Sequence, residues 1–167
     1  MTMHLTIDSP VGPLRLRSDG DHLTGVFFAE HRHAPDDLGD PVPAEQAPEV
    51  LRAAAQQLGE YFEGSRTGFD LPLAAAGTDF QQRVWAQLRT IPYGETWSYG
   101  ELARALGQPG ASRAVGLANG RNPLSIVVPC HRVVGSDGSI IGYGGGVERK
   151  QTLLELERSA ATPALFA

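Results

Sequence analysis

Apolar residues fall in mixed periods before Gly77, mostly alternating with one helical run, and at helical spacing after it, and that change constrains the fold more than any other feature. Before it, Met3–Asp8, Leu14–Arg17 and Leu23–Phe28 alternate apolar with polar residues, the period of half-buried strands. Ser9-Pro10-Val11-Gly12-Pro13 and Asp19-Gly20 supply the turns between them. Residues 30–48 are rich in Pro, Asp and Glu and read as a surface loop. Pro48 then suits the first position of a helix over 49–63, where Val50, Leu51, Ala54, Leu58 and Phe62 fall at helical spacing. Phe69–Leu73 is expected to return as a short strand. After Gly77 the pattern is helical. Thr78-x-x-Gln81 and Ser98-x-x-Glu101 are capping boxes, each opening an apolar-periodic run. Gly107-Gln108-Pro109-Gly110 is a tight turn before a further helix over about 111–119, with Ala111, Ala114, Val115 and Ala118 inward. Two short helices joined by a four-residue glycine turn make a helix-turn-helix pattern. The expectation is therefore an α/β domain over 1–77 and a helical domain over 78–167.

At 167 residues such a chain buries a core without staples. Its one cysteine rules out an intrachain disulfide and a paired-cysteine zinc site. No apolar run approaches a membrane span and the first twenty residues lack a signal-peptide core, so a cytoplasmic location is expected. Charge divides with the period. Residues 1–77 hold five arginines against twelve acidic residues, whereas 83–132 hold six arginines against two glutamates. The second half thus suits an anionic partner better than the net charge of −5 suggests, although a solvated surface explains the same asymmetry.

Leu124–Val128 reads as a buried strand stopped by Pro129, and the lone cysteine follows in Pro129-Cys130-His131-Arg132-Val133. A thiol is mostly protonated at neutral pH, so a nucleophilic Cys130 needs a base, and the base needs an orienting group. His131 is the nearest base, although adjacent side chains need a water or a tight turn to connect them. In the last predicted helix, about 147–158, Lys150, Leu153, Leu154 and Glu157 recur at i, i+3, i+4, i+7, which puts Glu157 on the apolar stripe and Glu155 opposite. A carboxylate there needs a partner unless the helix end frays into water. Ile141–Gly146 is rich in glycine but lacks the lysine of a phosphate loop. Either it is flexible, or its backbone closes on a flat ligand beside Tyr143. On the 111–119 helix, Arg113, Gly116, Leu117 and Gly120 share an outer face with Ser112, suiting either a close approach to a groove or packing on a neighbour. His31 and His33 read as solvated loop residues.

Together these residues resemble the O6-alkylguanine-DNA alkyltransferase family. The resemblance rests on Ile126–Val133, Tyr93–Tyr99, Ser112–Gly116, Asn122-Pro123 and Gly142-Tyr143-x-Gly145-Gly146, tight over 78–158 and looser before. It implies a ribonuclease-H-like α/β domain followed by a winged helix-turn-helix domain. It implies a monomer that binds the minor groove of duplex DNA, flips out O6-alkylguanine and takes the alkyl group irreversibly onto Cys130, one lesion per molecule. His131 takes the thiol proton through a water and Glu157 holds the imidazole. Asn122 resembles the hinge asparagine, Tyr99 the tyrosine that donates to the departing guanine, and Arg113 the finger that fills the emptied stack, with Ser112, Ala114 and Gly116 at the DNA. Backbone near Val133 and Tyr143 would read the guanine edge. Gly144 departs from relatives that carry serine there, so a backbone N–H would have to serve. No cofactor, metal or membrane is implied, and cooperativity on DNA is left open. Two other readings stand beside this one: a module that binds alkylated DNA without chemistry, and a thiol hydrolase, since Cys-His-Glu also suits acyl transfer.

Overall fold

The computed structural model describes residues 1–140 and 142–161. Ile141, part of the glycine-rich motif, and the tail 162–167 lie outside the described residues.

Three antiparallel strands form first: β1 (Met3–Ile7), β2 (Leu14–Ser18) and β3 (Leu23–Phe28). Leu14, Leu16, Val26 and Phe28 are buried on one face, a bulge at Arg17/Ser18 brings Leu23 onto it, and Phe27 is buried on the other face. The acidic segment is more structured than its composition suggests. It holds β4 (Asp40–Pro41), parallel to β1, and a 3-10 turn at Ala44–Gln46. The sheet order is β3-β2-β1-β4. α1 (Glu49–Glu63) packs Val50, Leu51, Ala54, Leu58 and Tyr61 into the core and ends on Gly64 in the left-handed conformation. Pro48 is the extended cap before the helix rather than its first residue. Phe69–Leu73 is not a strand: only Leu73 bridges Leu23, because Pro72 interrupts the ladder donors.

Both capping boxes form. Thr78 and Gln81 start α2 (Asp79–Leu88), and Ser98 and Glu101 start α3 (Tyr99–Ala105). After the glycine turn, α4 (Ser112–Gly120) buries Val115, Ala118 and Asn119, while Ala114 is exposed. Ala114 therefore leaves the inward set predicted for it and Asn119 joins it. The neighbours of α4 are α2 and α3, and the Trp85 indole N–H donates to Ala118 O at 2.8 Å. β5 (Trp97–Ser98) pairs in parallel with β6 (Val133–Val134). α5 (Val147–Ala161) closes the described chain.

Leu124–Val128 is buried but is not a strand. Asn122 holds it as a compact turn: its Oδ1 accepts from Leu124 N–H at 2.9 Å and its Nδ2 donates to Val128 O at 2.8 Å. Ile126 has φ 73°, a conformation that a β-branched residue adopts only under strong constraint. The turn leaves Cys130 against the end of α4, where Asn119 Nδ2 donates to the Cys130 carbonyl at 3.3 Å. The two units share one core, from Leu14 and Phe28 to Val115 and Leu153.

Candidate active site

Pro129 has no N–H to extend a ladder, so the chain tightens into a 3-10 turn, Cys130–Arg132. The turn points adjacent side chains in different directions. Cys130, 4% exposed, lines a cavity of about 280 Å³ with Tyr99, Asn119, Asn122, Tyr143 and Gly144. His131 and Glu157 lie behind the wall, fully buried, and do not line it.

The His131 Nε2 is 2.6 Å from Glu157 Oε2. Since the carboxylate accepts, Nε2 carries the proton and Nδ1 is left unprotonated; it is buried with no partner among the described residues. Burial lowers the imidazole pKa against the raising pull of Glu157, so the ring is neutral. Glu157 is the hub of the arrangement. Arg132 grips it through Nε to Oε1 at 2.7 Å and a second nitrogen to Oε2 at 3.0 Å, and the Tyr61 hydroxyl donates to Oε2 at 2.6 Å. Burial alone would raise its pKa, but the hydrogen bonds from His131 and Arg132 and the Arg132 charge outweigh that and hold it at about 2. The carboxylate is thus ionised, and the base it orients is fixed in one tautomer.

The thiol is tuned by opposing effects. Burial pushes Cys130 up, whereas the Asn122 side chain, the Lys150 charge and the Tyr143 hydroxyl pull it down. Lys150 is itself fully buried, donates to Gly142 O at 3.3 Å, and has a pKa lowered to about 8 by burial. Tyr99 is raised by burial and then by the Cys130 charge, so its hydroxyl keeps its proton. The cavity therefore offers a nucleophile, a proton acceptor behind it and a donor facing it.

Gly116 lines the cavity, whereas Ser112, Arg113 and Ala114 do not; the last two are exposed on the outer face of α4, one turn before Leu117, which is 70% exposed. Val133 is buried in β6 and does not reach the cavity.

The sequence reading missed the opposite wall. His31 and His33, read as solvated loop residues, line the cavity from the N-terminal unit with Arg32 between them, although Arg32 and His33 are also exposed. His31 stacks on Phe28 at 5.4 Å and its Nδ1 accepts from Phe28 N–H at 3.2 Å. Its Nε2 lies 3.1 Å from where a Cβ on Gly144 would stand. Arg32 N–H donates to Gly144 O at 2.8 Å, and a Cβ on Gly145 would meet the Phe28 ring at 2.3 Å. The glycine segment is hence pinned by close approach rather than loose. A His-Arg-His triplet in a loop carried no periodic signal that would have found this. The Arg132 and Tyr61 grip on Glu157 was also missed; only the place of Arg132 beside His131 hinted at it.

The family model described as "6-O-methylguanine DNA methyltransferase, DNA binding domain" matches residues 79–159, and its companion "ribonuclease-like domain" matches residues 3–75. The chain belongs to the 6-O-methylguanine DNA methyltransferase family. A methylated-DNA–protein-cysteine methyltransferase of Mycobacterium tuberculosis is 53% identical over 162 residues, 96% of this chain and 95% of the relative. The constitutive methyltransferase of that kind from Bacillus subtilis is 44% identical over 161 residues, 95% of this chain and 96% of the relative. A crystal structure of Mycobacterium tuberculosis OGT in complex with DNA superposes with a TM-score of 0.87 at 53% identity, covering 95% of this chain and 94% of that one. As a methyltransferase of this family the chain has a mixed α/β architecture of two domains, an N-terminal one and a DNA-binding one. No described helix is long and apolar enough to cross a membrane.

Proposed function

We propose that this protein repairs DNA by moving the alkyl group of O6-alkylguanine from duplex DNA onto its own Cys130, once per molecule. The observation that carries the reading is the nucleophile on the cavity wall with an oriented, neutral imidazole behind it. The thiol proton passes through a water to His131 Nδ1, whose partnerless state suits that task. The thiolate sulfur attacks the alkyl carbon, the S–C bond forms and the C–O6 bond breaks with its electron pair on the guanine. Tyr99 donates a hydrogen bond to the departing base, and the proton lost by the thiol ends on the guanine. Glu157 stabilises the transient imidazolium, and Asn122 holds the turn that presents Cys130. The product thioether has no leaving group that this site can expel, so the reaction stops there.

On this reading α4 enters the minor groove. Arg113 fills the place of the flipped nucleotide, and Ser112, Ala114 and Gly116 let the backbone come close. Backbone at Tyr143 and Gly144 reads the guanine edge from inside the cavity. Val133 acts only by holding β6 against β5. We divide the chain at 77/78 into a ribonuclease-H-like domain and a winged helix-turn-helix domain, with β5 and β6 at the base of the wing. The protein acts as a monomer in the cytoplasm.

The test is intact mass after mixing with a duplex carrying O6-methylguanine, beside Cys130→Ser. The expected gain is one methyl per molecule, on Cys130, with none on the variant although it still binds. A bound duplex with unchanged wild-type mass makes the protein a lesion-binding module, and catalytic release of acid from an ester makes it a hydrolase.

A further inference from the structure

Two exposed arginines that alkyl transfer does not use, Arg32 and Arg121, converge beside the active-site cavity with the half-buried Arg17 near them. A second cavity of about 270 Å³ is lined by Arg17, Arg32 and His33 from the N-terminal unit and by Gly120, Arg121 and Asn122 from the end of α4. Arg32, His33, Gly120, Arg121 and Asn122 also line the cavity that holds Cys130, so the two spaces meet along a common rim. Among the described residues neither Arg32 nor Arg121 pairs with a carboxylate. Arg17 bonds only neutral acceptors, Thr24 Oγ1 at 3.1 Å and Thr24 O at 3.2 Å. Of the acidic residues that follow in the loop, Asp37 shares a separate cavity with Arg17 and Asp19, and none of the described ones pairs with Arg32 or Arg121. Asp36 and Asp37 lie beyond Pro35, and Asp37 accepts from Gly39 N–H at 2.8 Å.

Such an island is out of place in its surroundings. Residues 1–77 carry a net charge of −7, and two of their five arginines, Arg17 and Arg32, stand where the helical unit adds Arg121. The loop is also held in an unusual shape. His33 has φ 63°, and Arg32 is fixed behind it by its N–H bond to Gly144 O. Like charges placed together on a braced loop repel one another until an anion sits between them, and paired guanidiniums match the oxygens of a phosphodiester.

We propose that this groove clamps a backbone phosphate of the duplex, so that the N-terminal unit carries part of the DNA interface. The proposal rests on the DNA-repair reading and adds a site to it. A base that enters the Cys130 cavity leaves its sugar and phosphates at the mouth. The common rim puts Arg32 and Arg121 there, one from each unit. The anion is a DNA phosphate rather than a free one because the groove continues into the base cavity.

The test is duplex binding by Arg32→Ala, Arg121→Ala and the double variant, measured by anisotropy across a range of salt on an O6-methylguanine duplex. The double variant is expected to bind roughly tenfold more weakly at low salt, and its log–log salt slope to fall by about one. Arg32→Lys should keep the slope. An unaltered slope in the double variant overturns the proposal. Transfer from the free base O6-methylguanine, which has no phosphate, gives the second readout. A loss several-fold larger on duplex than on free base supports the clamp. Equal losses on both mean that the loop shapes the cavity instead, and overturn it. Wild-type protein that binds the duplex but alkylates from neither substrate defeats the alkyl-transfer reading alone, and the salt slope still decides the clamp.

Discussion

Replacing Glu157 by glutamine removes one charge and almost no volume, and its cost follows from what the carboxylate holds. Arg132 keeps its hydrogen bond to Ile91 O and one bond to the amide oxygen, but it loses the charge that neutralises it in a buried site. Breaking a buried pair by taking away one partner costs about 3–5 kcal/mol. An independent route gives a similar figure. Glu157 is held at about 2 in the folded protein against 4.5 in a free chain, and each unit of that depression is about 1.4 kcal/mol, hence about 3 kcal/mol. For a chain of this length the two routes predict a fall in Tm of roughly 6–20 °C, read by thermal denaturation near pH 7. The pH dependence sharpens the test. Because the folded pKa is depressed, this stabilisation is complete above about pH 4.5 and is lost as pH falls toward about 2. The glutamine variant has none of it to lose, so the gap between variant and wild type should narrow through that window. A gap under about 1 kcal/mol at pH 7, or one as wide at pH 2.5 as at pH 7, refutes the ionised hub. The rate of alkyl transfer should fall as well, since the imidazolium formed at His131 then lacks its counter-charge.

Lys150→Met should raise the Cys130 pKa, because the buried ammonium favours the thiolate; iodoacetamide labelling at pH 7.5 is expected to slow at least several-fold, and an unchanged rate removes Lys150 from the tuning of the thiol. Gly145→Ala forces a methyl toward the Phe28 ring and should cost about 1–3 kcal/mol in chemical denaturation. Gly116→Ala meets only ordinary contact with Tyr99 at 3.5 Å, so it should stabilise α4 by up to about 1 kcal/mol yet weaken duplex binding. Unweakened binding would show that α4 does not need its small face at the DNA.

The parts of the site that repeat along one element were legible in the sequence. The capping boxes located α2 and α3, the alternation located β1 to β3, and the i, i+7 stripe singled out Glu157 over Glu155, which is exposed. What failed was set by contacts between elements. Apolar content marked Leu124–Val128 as buried, but the Asn122 side chain and the Val128 N–H bond to Leu124 O bend it away from a strand. Ala114 and Asn119 exchanged places because α4 meets α2 and α3 on a face that its own short sequence does not define. His31, Arg32 and His33 reach the site only because β3 ends against the glycine segment.

The bond from Tyr61 to Glu157 has a further consequence. Its two ends are 96 residues apart, one on each side of the proposed domain boundary. The first half therefore cannot be inherited, trimmed or exchanged as an independent part. A hybrid that took its sheet and α1 from a relative lacking a hydroxyl at this place would leave the carboxylate one donor short. The defect would surface as a slower thiol in the half that had not been altered.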